Sequence, residues 1–226
     1  VIGKLAIVDT ETTGITPESA CVEVACILYS VQHAAAIRSF ASLIRADSNP
    51  AYDINAIPEE LLREAPEPPP VWSRIREMVG KADVLVAHNA AFDKRYIPSD
   101  VQQGKPWLCT MTDLDWPCKT SSKSLVSVAL AHGLGVSHAH RAMVDCDLIS
   151  RLLTNVAERW SDGGADLAIW LEQGMKPKIT VRALVSYEER EKAKSCGFSW
   201  DSQSKNWTKR IPESDVDLFP FKVARI

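Results

Sequence analysis

The sequence predicts an α/β fold built on a mixed sheet flanked by helices, followed by a small β-α-β-β module at the carboxyl end. Three observations lead there. Three β-type runs open the chain, Lys4–Asp9, Cys21–Val31 and Ala35–Arg45. The second and third lie only a few residues apart, the spacing of an antiparallel hairpin or meander. Helical and strand-like segments then alternate, a pattern that lays helices against a sheet containing parallel strands. Finally, 226 residues that are 46% hydrophobic and 24% charged suffice for one ordinary domain with an appendage.

Each element has its own signal. Helical spacing around Pro58–Arg63 precedes a loop at Glu64–Pro70 that holds four prolines. Val71–Val79 returns to helical spacing, and Asp83–Ala87 is a short apolar run of the buried-strand kind. Ala90–Ile97 starts a helix, Trp107–Thr110 is a short strand, and Ser124–His132 and Ala142–Trp160 are helical. In the last of these, Val144, Leu148, Leu152 and Val156 recur every fourth residue and make one apolar face. Asp162-Gly163-Gly164 breaks that helix, and the stretch Ser161–Lys178, with Gly174 and Pro177, is expected to divide a domain over 1–165 from a module over 176–226. The module reads as a strand (Ile179–Ser186), a helix (Tyr187–Cys196) stopped by Gly197, and a hairpin pairing Phe198–Trp200 with Asn206–Lys209.

The bulk properties exclude several classes. No run approaches the roughly 18 apolar residues of a membrane span, and no secretory signal is seen. A chain that begins at Val1 is expected to have been trimmed at its leading end. Six scattered cysteines without a Cys-x-x-Cys pair suit reduced thiols and a cytoplasmic protein rather than a zinc site. The formal charge of −3 does not advertise a polyanionic partner. It does not exclude one either, because acids at a metal site are neutralised by their ions.

Candidate chemistry begins at Asp9 and Glu11. Residues two apart on a strand point to the same face, so the pair reads either as two solvated acids at a strand end or as ligands for a hard cation such as Mg²⁺ or Mn²⁺. Asp93 follows the second buried strand, near a helix start. It reads as a helix-terminal acid favoured by the dipole or as a third ligand, since open α/β sheets place sites beyond the carboxyl ends of strands. Asp145 falls on the first turns of the long helix, and His140 lies just before it.

In sequence order these residues form the motifs Asp-x-Glu-Thr (from Asp9), His-Asn-x-x-Phe-Asp (88–93) and His-x-x-x-x-Asp (140–145). The chain resembles the DEDD exonucleases of the DnaQ-like group, in the subclass whose last motif contains histidine. The resemblance covers about residues 4–158, and the Trp107–Met111 pattern is most similar to the bacterial exonuclease X branch. It implies a ribonuclease-H-like fold and metal-dependent release of 5′-mononucleotides from a 3′ end. Asp9, Glu11, Asp93 and Asp145 would hold two divalent ions, Mg²⁺ or Mn²⁺, and His140 would act as the general base. Thr12 resembles the position whose backbone meets the terminal 3′ hydroxyl. Ile57 resembles an apolar wedge beside the terminal base, and its other reading is plain core. A histidine usually precedes that wedge by one or two places, whereas Asn55-Ala56 stand here.

The module carries nine Lys or Arg against five acids over residues 176–213, interleaved with aromatic residues, a composition that suits single-stranded nucleic acid. Trp200 and Trp207 read as its small core, and Lys192, Lys194, Lys205, Lys209 and Arg210 as candidates for phosphate contacts. Asp215–Phe219 loosely resembles a sliding-clamp-binding peptide without its leading Gln, and reads better as a terminal packing segment. The expected partner is DNA at a 3′ end, with clamp or polymerase assemblies left open. An RNA-trimming enzyme of the same fold is the nearest alternative. A non-catalytic nucleic-acid-binding adaptor is the other, opposed by the filled set of acids.

Overall fold

The computed structural model, which describes residues 1–136, 141–160 and 164–226, divides into two units, Val1–Met175 and Lys176–Ile226. In the first unit the opening runs form strands β1 (Lys4–Thr12), β2 (Cys21–Ser30) and β3 (Ala35–Leu43). Short helices α1 (Tyr52–Asn55) and α2 (Glu59–Glu64) lead into α3 (Pro68–Gly80). Next come β4 (Val84–Ala87), α4 (Ala90–Tyr96), α5 (Ser99–Gln102), β5 (Trp107–Cys109), α6 (Leu125–Ala131), α7 (Ala142–Arg159) and α8 (Gly164–Met175).

The sheet order is β3-β2-β1-β4-β5. β1–β3 form the expected antiparallel meander, and β4 and β5 run parallel to β1. β1 and β2 are apolar on both sides because both faces are covered. Leu5, Ile7, Ala25 and Ile27 pack with Ile149 and Leu152 of α7. On the reverse face, Ala6, Val8, Val24 and Cys26 pack with Val71 and Ile75 of α3.

Several boundaries differ from expectation, β3 ending at Leu43, β6 at Ala183 and α9 starting at Arg190 among them, and three have a clear local reason. β1 continues through Thr12 because β2 keeps pairing with it, Glu11 opposite Glu23 and then, across an irregular step, Thr12 opposite Cys21. α3 starts at Pro68, inside the expected loop, with proline in its first turn, where a missing N–H costs nothing. The first unit extends past residue 165 because 164–175 form a helix, with Leu167 and Leu171 fully buried. Its Gly174 is a close-packing residue: a Cβ there would come within 2.7 Å of Leu114 Cδ2 and 3.1 Å of Leu108 Cδ1.

The second unit contains β6 (Lys178–Ala183), α9 (Arg190–Ser195), β7 (Ser199–Asp201) and β8 (Asn206–Pro212). A 3₁₀ turn (Glu213–Leu218) and a further strand, β9 (Val223–Arg225), follow. The sheet order is β7-β8-β6-β9, so the last strand, absent from the sequence expectation, pairs with β6. Gly197 ends the helix at φ +79°, a conformation open to glycine without strain. Val181, Ala193, Phe198 and Ile211 form the core, and Phe219 meets Phe198 edge-on at 5.2 Å between ring centres. Trp207 packs against this core while Trp200, its partner across the hairpin, is 53% exposed. Among the described residues, no helix is long and apolar enough to cross a membrane.

Candidate active site

Alternation along β1 decides where its acids point. Leu5 and Ile7 lie on the α7 side, so Asp9 and Glu11 continue that row, while Thr10 follows Ala6 and Val8 to the other face. Asp145 lies in the first turn of α7. Strand end and helix start therefore converge: carboxylate oxygens of Asp9, Glu11 and Asp145 all lie within 4.8 Å of one another. Asp93 arrives from the first turn of α4, just beyond the end of β4. It is 2% exposed, and its Oδ1 accepts a 2.9 Å hydrogen bond from the Thr10 hydroxyl. Asp93 stands outside the 4.8 Å triplet, yet among the acids it opposes the ionisation of Asp9 most strongly.

Electrostatics sets the character of the cluster. Burial pushes the Asp9 carboxyl well above the usual range, and Asp93, Asp145 and Glu11 push it further. Glu11 is raised to about 8, first by burial and then by Asp145 and Glu23, with Arg141 pulling the other way. Asp93 is raised to about 7 by burial, against the hydrogen bond from Thr10. Neighbouring carboxylates that hinder each other's ionisation lack positive charge. An all-carboxylate oxygen set of this kind fits a hard divalent cation.

Other expected residues fall in different surroundings. His140 lies outside the described residues, directly before Arg141. Thr12 is buried, and its carbonyl accepts a 3.2 Å hydrogen bond from the Asn55 side-chain amide. Asn55 also accepts from Asn49 (2.8 Å) and from the Ile57 backbone N–H (3.1 Å). Ile57 is 2% exposed and packs with Val22 and Leu62, so its side chain offers almost no surface to a ligand. In the second unit, Lys192 pairs with Glu189 at 2.7 Å. The Lys209 ammonium donates to the Cys196 carbonyl at 2.7 Å and lies over the Phe219 ring, tying β8 to the end of α9. Lys194, Lys205 and Arg210 are exposed.

Sequence reasoning missed Glu23 and Arg141. Glu23 is buried beside Glu11 and forms a two-pronged ion pair with Arg141, at 3.0 and 2.9 Å. Its signal was available: Glu23 is the only charged residue in the strand Cys21–Ser30, and a buried charge in a central strand needs a partner.

The comparison with known proteins agrees with this geometry. The family model described as Exonuclease matches residues 6–153, which span all four acids. The chain is 32% identical over 166 residues to exodeoxyribonuclease 10 of Escherichia coli K12, covering 67% of this chain and 68% of that protein. The chain belongs to the DnaQ-like exonuclease family. Its first unit is a hydrolytic nuclease domain of ribonuclease-H-like fold. Exonuclease X in complex with 5′ overhanging duplex DNA matches with a TM-score of 0.52 and 27% identity, over 72% of this chain and 98% of that one. E. coli exonuclease I in complex with a dT13 oligonucleotide matches with a TM-score of 0.60. At 17% identity that likeness concerns the fold alone, and the chain spans about half (48%) of the exonuclease I length. A second family model, described as a domain of unknown function, matches residues 179–226.

Proposed function

We propose that this chain removes 5′-mononucleotides from 3′ ends of DNA, in a reaction that requires Mg²⁺ or Mn²⁺ held by Asp9, Glu11, Asp93 and Asp145. The observation that carries the reading is the carboxylate triplet within 4.8 Å, set at a strand end in a chain related to an exodeoxyribonuclease. When bound, such ions supply positive charge for phosphodiester oxygens and lower the pKa of water at the site.

The chain's own residues do the rest. Asp9 and Glu11 are fixed by the pairing of β1 with β2, and Asp145 by α7. Asp93 is oriented by the Thr10 hydroxyl. His140 accepts the proton of the attacking water, and an imidazole with an ordinary pKa near 6.5 suits that task at neutral pH. The Thr12 backbone, held by Asn55, borders the place of the terminal nucleotide.

The second unit contributes phosphate contacts. Core residues Val181 and Ile211 face α9, so the alternate positions Thr180, Arg182, Thr208 and Arg210 share the opposite side of the sheet. Arg182 and Arg210 are exposed and stand diagonally across the β6–β8 pair, with stems roughly 7–8 Å apart. Exposed guanidinium groups with threonine hydroxyls on the same sheet face suit the backbone of a single strand.

Digestion of 3′- and 5′-labelled DNA and RNA, single- and double-stranded, tests the reading with Mg²⁺, Mn²⁺ or EDTA. We expect DNA to shorten from the 3′ end only with metal, and Asp9→Ala to be inactive. His140→Ala should bind DNA and Mn²⁺ but lose on the order of 10²–10⁴ in turnover. Activity that survives both EDTA and Asp9→Ala refutes the metal mechanism, and a preference for RNA refutes the substrate.

A further inference from the structure

Glu23 presents a physical problem that its surroundings solve. It lies opposite Glu11 in the antiparallel register and is 5% exposed, so it adds a fifth carboxylate beside four already crowded ones. Burying such a charge without a partner costs several kcal/mol. Three charge-assisted hydrogen bonds compensate: Arg141 Nε at 3.0 Å, an Arg141 terminal nitrogen at 2.9 Å, and the Ala142 backbone N–H at 3.1 Å.

The third bond places Glu23 in the role of a helix cap. Ala142 opens α7, the residue before it has extended backbone (φ −138°, ψ 123°), and α7 has no cap from its own flanking side chain. An acid at the first amides satisfies orphan donors and meets the positive end of the helix dipole. Asp145 follows within that first turn, so the bond sets the height and rotation at which its carboxylate meets Asp9 and Glu11. Arg141 is also the residue bonded directly to His140. Its guanidinium is half-exposed, and its charge opposes the rise in the Glu11 pKa.

We propose that Glu23 and Arg141 act as one positioning unit of the exonuclease site, fixing the first turn of α7 and with it the aim of Asp145. The inference rests on the function proposed above. It goes beyond the acids and histidine of the family motifs, because neither residue belongs to them. The pair differs from an ordinary stabilising salt bridge in that its loss affects metal affinity and turnover as well as stability, and the double variant, which removes the buried charge together with its partner, separates the two effects. A bidentate fork is also something lysine cannot reproduce.

The test uses the full chain with Arg141→Gln, Arg141→Lys, Glu23→Gln and the double Glu23→Gln/Arg141→Gln, beside Asp145→Asn. Glu23→Gln keeps an acceptor for the Ala142 N–H and nearly the same volume, which protects folding. Three quantities are measured: kcat and KM on a short single-stranded oligonucleotide, Mn²⁺ affinity of the metal-free protein by calorimetry, and Tm. Groups that orient metal ligands are worth about 10–100-fold in affinity or activity. We therefore expect Arg141→Gln to lose about that much in kcat, with weaker Mn²⁺ binding and KM nearly unchanged. Arg141→Lys should recover only part of the loss, and the double variant should be no worse than the poorer single, as for one unit. Wild-type kcat and Mn²⁺ affinity in Arg141→Gln, beside an inactive Asp145→Asn, overturn the positioning unit and leave the site intact. Fully additive losses in the double variant overturn it as well. An active Asp145→Asn overturns the reading of the site and the positioning unit together.

Discussion

Glu11 illustrates how surroundings set the chemistry of a single side chain. An unfolded chain releases this proton at about pH 4.3, whereas in the folded protein the group is raised to about 8 by burial and neighbouring acids. The folded state thus holds the proton more tightly. Its contribution to stability is complete below about pH 4.3 and is lost as pH rises toward 8. A divalent cation binds the ionised form and works in the opposite direction. In EDTA, Tm should therefore fall between pH 5 and 8, and Mg²⁺ or Mn²⁺ should restore it most at the upper end. Glu11→Gln should lessen the fall, the rest of which comes from Asp9 and Asp93, and weaken the response to metal. A metal-free Tm that rises across this range contradicts the argument. Asn55 makes a different point. It stands where the family pattern usually has histidine nearby, and its amide connects the Thr12 carbonyl, the Ile57 N–H and Asn49. Asn55→Ala would strand these buried groups at a cost of about 1–3 kcal/mol each if left unpaired. Urea melts should register the loss, and kcat/KM on oligonucleotides should drop as the Thr12 turn loosens.

Elements were legible in the sequence where one periodicity ruled. The apolar run of β1 ended in acids two apart, and the four-residue repeat of Leu148, Leu152 and Val156 marked the face of α7 that is buried on the sheet. Those two signals put Asp9 and Glu11 on one strand face and Asp145 at a helix start; the motif order linked them, and the fold brings them within 4.8 Å. Glu23 was hidden because its role depends on register: only the pairing of β2 with β1 sets it opposite Glu11. Its bond to the first amide of α7 spans 119 residues of sequence. Helix α8 was hidden because Gly164 and Gly174 read as breakers. In the fold, Gly174 is required by the closeness of Leu114, Leu108 and the Asp113 carbonyl, which a Cβ would meet at 2.7, 3.1 and 3.2 Å. Alanine gains about 1 kcal/mol in helix propensity, but overpacking a tight contact costs typically 1–3 kcal/mol. Gly174→Ala should therefore lower stability in urea titration or leave it nearly level. A clear gain would mean that α8 does not rest on β5 this closely.

At the scale of the whole molecule, the clustered acids and the basic residues proposed to hold phosphate lie in different units. The acids, and the helix starts and strand ends that aim them, all lie within Val1–Met175, and Lys176–Ile226 has its own sheet and its own core. The basic residues of the second unit are not equivalent. Lys209 secures the end of α9 and Lys192 pairs with Glu189, whereas Arg182 and Arg210 are exposed and share a sheet face with the half-buried Thr180 and Thr208. If that face holds a single strand, each arginine neutralising a phosphate adds about 0.7 to the slope of log affinity against log salt. Arg182→Ala and Arg210→Ala should each lower that slope by about this amount for a long oligonucleotide. Turnover of a trinucleotide, which offers few phosphates for these contacts, should stay near the level of the unmodified chain. Removing residues 176–226 should lower the slope further and leave trinucleotide turnover near that level, while Lys209→Ala should lower the Tm of the second unit more than it changes the salt slope. Equal slopes for the full chain, the two arginine variants and the truncated chain would assign DNA holding to the first unit alone. The second sheet would then need another ligand.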